Sequence, residues 1–164
     1  MSTRQAITVT VNGESHQRLV EPRLSLVDFL RQDLQLTGSH VGCEMGACGA
    51  CLVLVDDEPV HACLMFAVQA EGARIETVEG LAARDALADL KAAFRDRNAL
   101  QCGYCTPGML ATAHAILARG GVPSREEIRD ALSGNYCRCT GYEAIVDAIV
   151  MTAEARAAAG EAAR

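Results

Sequence analysis

Residues 6–11, AITVTV, alternate apolar and polar, the period of a strand with one buried face. Asn12-Gly13 follows, a strong two-residue hairpin signal, so a return strand is predicted over about 15–20. The period then lengthens. Ser25 reads as an N-cap with Asp28 three residues on, and Leu26, Phe29 and Leu30 share one face. That helix should end near Asp33. From Cys51, the run CLVLVDDEPV reads as a strand, a turn over 56–59 and a return strand to about Ala62. ARIETVEG adds one short strand. The first half is predicted to be a small mixed sheet with a helix packed across it.

The second half changes to a helical period. DALADLKAAF, 85–94, is helical in composition and spacing. TPGMLATAHAILARGG takes Thr106 as N-cap and Pro107 in its first turn, and stops at Gly120-Gly121. Leu110, Ala113, Ile116 and Leu117 form its apolar face. Ser124 with Glu127 is a capping box that opens a third helix to about Leu132. TGYEAIVDAIVMTAEARAAAG supplies a fourth, fading into an alanine-rich tail expected to fray. Four helices with short connections read as a small bundle. The fold class is therefore α+β, divided near 80–85 into domains 1–80 and 81–164.

Composition narrows the function. Half of the 164 residues are hydrophobic, but only 4% are aromatic and none is Trp. Two halves of that kind have thin cores and benefit from an internal staple. The net charge of −6 comes without a Lys/Arg stripe, which argues against nucleic acid as a partner. No apolar run approaches the roughly 18 residues of a membrane span. The start, MSTRQAITVTVNG, lacks an apolar h-region, so no secretory signal and a cytoplasmic location are predicted. Eight cysteines in a reducing compartment point to metal ligands or redox groups rather than to disulfides.

The cysteines divide as the elements do. Cys43, Cys48, Cys51 and Cys63 lie in the first half, spaced C-x4-C-x2-C, with eleven residues between the third and the fourth. Cys102, Cys105, Cys137 and Cys139 lie in the second half, as C-x2-C and C-x-C. Four thiolates suit an iron–sulfur cluster or a structural zinc. The C-x4-C-x2-C run has the plant-type 2Fe–2S spacing. Its wrapping loop needs little side-chain bulk: Gly42, Gly46 and Gly49 permit positive φ and close approach, and Ala47 and Ala50 keep space clear. A backbone so turned can aim N–H groups at the sulfurs. Cys63 should arrive from the return strand. In the second set, Cys105 and Cys139 each precede an expected helix start, whose partial positive charge suits a dianionic site. Zinc is the rival ligand, but its usual pairs leave two to four residues between cysteines, which fits Cys137 and Cys139 less well.

GCEMGACGACLVLVDDEPVHAC, then QCGYCTPG and GNYCRCTGY, closely resemble the small iron–sulfur subunit of the xanthine oxidase family of molybdenum hydroxylases, over about residues 4–155. The resemblance implies a ferredoxin-like β-grasp domain carrying one 2Fe–2S cluster, then a four-helix bundle domain carrying a second. It implies that Gln101 and Cys139 contact molybdopterin, in its cytosine dinucleotide form, on a large partner subunit. A medium subunit would hold FAD, in a heterotrimer or a dimer of heterotrimers. Electrons would pass from the molybdenum cofactor through the bundle cluster and the N-terminal cluster to FAD or another acceptor.

Other residues admit plainer readings. His16, His40, His61 and His114 could serve a His2Cys2 site, yet four cysteines per set already fill each cluster. His114 reads as one wall of its helix, and Tyr104 as a packed tyrosine with a satisfied hydroxyl rather than a relay. Met45 is either partner-facing or a lid over the cluster. Arg138 either offsets cluster charge or is a solvated arginine. Asp56, Asp57 and Glu58 read as a solvated turn. No nucleophile–base pair or glycine-rich phosphate loop is visible, so catalysis is expected on another polypeptide. The alternatives to a complex subunit are a freestanding two-cluster ferredoxin and a zinc-stabilised adaptor.

Overall fold

The computed structural model describes residues 4–162, so the outermost residues of the two predicted domains, 1–3 and 163–164, lie outside the described residues. Strands β1 (Gln5–Val11) and β2 (Glu14–Val20) pair antiparallel, from Gln5 against Val20 to Val11 against Glu14. Asn12 at φ 52° and Gly13 at 87° form the left-handed two-residue turn that matches strand twist. The predicted helix forms as α1 (Leu26–Asp28) and continues as a wider π turn, Phe29–Asp33. Ser25 caps it, its Oγ accepting the Asp28 N–H at 3.1 Å.

Strands β3 (Leu52–Val55) and β4 (Glu58–His61) follow, then β5 (Arg74–Glu76). Only Asp56 and Asp57 make the β3–β4 turn, at φ 49° and 72°. The turn is tighter than the predicted 56–59, and Pro59 falls inside β4. The sheet order β2-β1-β5-β3-β4 explains why proline is accepted there: β4 is an edge. Among the described residues only β1 and β5 run parallel. Leu26, Val27, Phe29 and Leu30 bury against Ile7, Val9, Val11, Val53 and Ile75, closing one core. This mixed sheet with one helical segment across it agrees with the ferredoxin-like expectation.

Among the described residues the rest forms five helices rather than four. α2 (Val78–Ala83) occupies the stretch predicted as the boundary. α3 (Ala88–Asp96) starts later than the predicted 85, where Asp85 takes a left-handed φ of 58°. α4 (Thr106–Ala118) has Cys105 as its N-cap, so Thr106 is the first helical residue rather than the cap. α5 (Arg125–Ala131) opens on the predicted Ser124–Glu127 capping box. α6 (Glu143–Ala162) runs through the alanine-rich stretch where fading was expected.

The predicted face of α4 is buried, but so are Met109, Ala111, Thr112 and Ala115. An all-round buried helix is central. α4 lies against β3 on one side and against α2, α3, α5 and α6 on others, joining the two halves. Polar contacts reinforce that joint. Asn12 Oδ1 accepts the Thr77 N–H at 2.9 Å, and Glu79 Oε1 accepts the Gly38 N–H at 2.6 Å. Arg84 pairs with Glu76 through both carboxylate oxygens. Among the described residues, no helix is long and apolar enough to cross a membrane.

Candidate metal centres

The first cysteine set lies on the loop before β3 and just past β4. Cys63 stands two residues beyond the strand's end at His61, in the turn and not on the strand itself. The loop turns back through Glu44 at φ 53°, Gly46 at 75° and Gly49 at 70°. Gly42 is absent from this left-handed group. Its glycine requirement is one of space, since a Cβ there would stand 3.0 Å from Cys48 Sγ. Glu44, a non-glycine bend, was not foreseen.

Backbone donors converge on these sulfurs. The Cys48 N–H donates to Cys43 Sγ at 3.4 Å. The N–H of Met45, then those of Cys48 and Ala47, hold the Cys43 thiol down to about 7. Burial raises Cys48, against the Ala50 N–H that lowers it. Burial pushes the deepest thiol, Cys51, up to about 12, with the neighbouring Cys63 sulfur adding to the rise. Cys43 and Cys63 both act on Cys48, and Cys63 and Cys48 both act on Cys51, which makes these thiols pairwise neighbours.

The second set gathers the N-terminus of α4 and the segment before α6. Cys102 and Cys139 are exposed, with sulfurs 3.6 Å apart; Cys105 and Cys137 are half-buried. Burial pushes Cys105 up to about 12. Burial also works to raise Cys137, but the Thr140 hydroxyl and N–H, at 3.1 and 3.5 Å, outweigh it and hold this thiol below its ordinary value. Cys105 does cap a helix start. Cys139 does not, because α6 begins only at Glu143, and a side-chain hydroxyl supplies the local donor instead. The Tyr142 hydroxyl accepts the Cys137 N–H at 2.9 Å and pins this segment. Gln101 is exposed beside the set, its Nε2 donating to the Cys139 carbonyl at 2.9 Å.

The two sets are neighbours. The Tyr136 N–H, next to Cys137, donates to the Cys48 carbonyl at 2.8 Å. This bridge between cysteine-bearing segments has no motif in the sequence. Only the glycine of CTPG, three residues past Cys105, hinted at a close approach. The other singled-out residues fall as follows. His40 stacks on Tyr104 at 4.7 Å and its Nδ1 donates to the Tyr104 carbonyl. The Tyr104 hydroxyl is satisfied by the Val41 carbonyl at 2.7 Å, although half its surface is open. His114 is half-buried in α4, and burial lowers its pKa. Met45 is 73% exposed, and Arg138 is exposed.

The donor chemistry fits iron–sulfur clusters: four thiols per set, backbone or hydroxyl donors on the sulfurs, and a loop cleared of side chains. Among the described residues, no three His, Cys, Asp or Glu side chains converge as they would on a single metal ion.

Comparison with known proteins follows the same division. Residues 9–82 match the family described as a 2Fe-2S iron-sulfur cluster binding domain, and residues 77–150 match one described as a 2Fe-2S binding domain. The chain is 52% identical over 146 residues to caffeine dehydrogenase subunit gamma of Pseudomonas sp. (strain CBB1), covering 87% of each. It is 48% identical over 149 residues to the nicotine 6-hydroxylase small subunit of Paenarthrobacter nicotinovorans, covering 91% of this chain and 90% of that one. Quinoline 2-oxidoreductase from Pseudomonas putida 86 contains a chain that superposes with a TM-score of 0.89 at 53% identity, over 97% of this chain and 98% of that one. Aldehyde oxidoreductase from Desulfovibrio desulfuricans superposes with a TM-score of 0.88 at 43% identity, where the matched unit is 17% of a longer chain.

Proposed function

Because the chain belongs to the small iron–sulfur subunits of the xanthine oxidase family of molybdenum hydroxylases, we propose how its residues divide the work of that subunit. It is an electron-transfer subunit of an oxidoreductase and carries 2Fe–2S clusters. Cys43, Cys48, Cys51 and Cys63 would hold the first cluster within domain 1–80. Cys102, Cys105, Cys137 and Cys139 would hold the second within domain 81–164, where α3, α4, α5 and α6 form the four-helix bundle. A 2Fe–2S cluster so bound takes up and returns single electrons.

The chain's own residues set where that traffic can pass. Cys102, Cys139 and Gln101 lie together on an exposed edge. Gln101 and Cys139, joined by their hydrogen bond, are assigned to meet the molybdopterin cofactor, as the cytosine dinucleotide, on a large partner subunit. Inward from that edge, Cys137 connects through the Tyr136 N–H to the Cys48 carbonyl, the most direct bonded link between the two sets. Met45 and Leu64, each one residue from a first-set cysteine or its neighbour, are exposed. A medium FAD subunit is assigned there, in a heterotrimer or a dimer of heterotrimers, with the cytoplasm as its compartment.

What supports this reading is eight free cysteines divided four and four along the chain, with the exposed Cys102 and Cys139 holding their sulfurs 3.6 Å apart. Exposed Met45, Leu64, Leu100, Tyr104 and Tyr136 favour a subunit over a freestanding ferredoxin, which has little use for so much apolar surface. Affinity purification of the tagged chain from its native cells should bring down a large molybdenum-containing chain and FAD. Gln101→Ala should reduce the molybdenum recovered. A red-brown chain that purifies alone, with electron-carrier activity, would overturn the subunit assignment.

A further inference from the structure

Gly49 and Gly108 do more than make room for local turns. Gly108, buried in the first turn of α4, has the Gly49 carbonyl so close that a Cβ would overlap the oxygen and stand 3.1 Å from the carbonyl carbon. Gly49 is buried between Cys48 and Cys51. A Cβ on it would overlap the Gly134 carbonyl and stand 2.8 Å from Asn135 Nδ2. The first-set loop is thus clamped between two segments of the second set, one following Cys105 and one preceding Cys137. Asn135 is 2% exposed, and its Oδ1 accepts the Thr112 hydroxyl at 3.0 Å, which ties that second segment back to α4. The Tyr136 N–H to Cys48 carbonyl bond closes the clamp.

We propose that Gly49 and Gly108, locked by the Thr112–Asn135 bond, are positioning residues that set the separation of the two cluster sites and hence the rate of electron passage between them. The inference rests on the cluster assignment above. Packed cores transmit strain instead of absorbing it, so one methyl group in this seam must move one ligand-bearing segment off the other. Helix propensity argues the opposite way, since alanine is a better helix former than glycine. Gly108→Ala therefore separates the two effects.

The test is low-temperature electron paramagnetic resonance of the dithionite-reduced full chain, reading the spin–spin splitting between the two clusters. That splitting falls with the cube of their separation and does not respond to global stability. Gly108→Ala should retain iron and sulfide but show a reduced splitting. Thr112→Val, which removes the lock without adding volume, should reduce it less. Gly134→Ala is the control, because a Cβ there meets only His61 Nε2 at 3.7 Å and should leave the splitting unchanged. Parent splitting in an iron-replete Gly108→Ala chain would overturn the inference. Should Gly108→Ala lose its clusters, parent splitting in Thr112→Val would do so. A parent chain without two cluster signals would overturn the cluster assignment itself, and this inference with it.

Discussion

Cys51 is 2% exposed at the end of a loop whose backbone N–H groups point at its neighbours, whereas Cys102 and Cys139 stand open at the edge of the helical half. The first set is wrapped by left-handed turns at Glu44, Gly46 and Gly49. The second is built from the N-terminus of one helix and the approach to another, with a threonine hydroxyl as its nearest side-chain donor. The same four donors are therefore held in two ways. A site wrapped by backbone is shielded and made specific by its loop. A site assembled from helix ends leaves one face free for a partner.

The sharpest break in that comparison is a thiol removed from the first set alone. Cys51→Ala should delete the first cluster signal completely and leave the second, since the sets share no thiol. Loss of both signals would mean that one site templates the other. Next come the cores beneath them. Phe29→Ala in the first core and Phe94→Ala in the second should each cost about 3–5 kcal/mol in denaturant unfolding, with most of the loss confined to the half that was cut. Equal loss of both clusters in both variants would show that the halves unfold as one unit.

A smaller effect tests the joint. The Arg84 guanidinium holds the Glu76 carboxyl below the usual range despite the opposing effect of burial. A depressed carboxyl contributes stability that is present above its unfolded value, about 4.3, and is lost as pH falls through its folded value. Thermal unfolding of the parent should therefore lose more stability in acid than Glu76→Gln, with the gap between them narrowing below about pH 4. A constant gap would remove Glu76 from the account. The smallest effect is Thr140→Val. Losing one hydroxyl hydrogen bond to Cys137 should shift the balance between the two oxidation states of the second cluster by about 1 kcal/mol and leave the first untouched, as read by redox titration.

Much of this was legible in the residues. The AITVTV–Asn-Gly hairpin, the Ser25 and Ser124 caps and the division of the eight cysteines follow local rules, and local rules hold where the backbone is satisfied by its own neighbours. The misses share a physical reason. Thr106 loses the cap to Cys105, Asp85 bends left-handed and delays α3, and 78–83 is a helix where a boundary was expected, and none of the three leaves a periodic signal. α4 looked amphipathic yet is buried all round, since its second side packs on β3 of the other half, a contact that only tertiary structure makes. In the sites, the cysteine spacing was readable, but Gly42 was misassigned to a positive φ and the Tyr136–Cys48 bridge was invisible. Neither a close approach nor a backbone hydrogen bond across halves leaves a periodic trace.

The most direct test of the central claim is quantitative low-temperature electron paramagnetic resonance of the dithionite-reduced chain, with iron, sulfide and zinc analysed on the same sample. The account predicts two distinct signals, near one spin each, with iron and sulfide at two per cluster and no stoichiometric zinc. Bound zinc with no signal, or one signal from one set of cysteines, would contradict it.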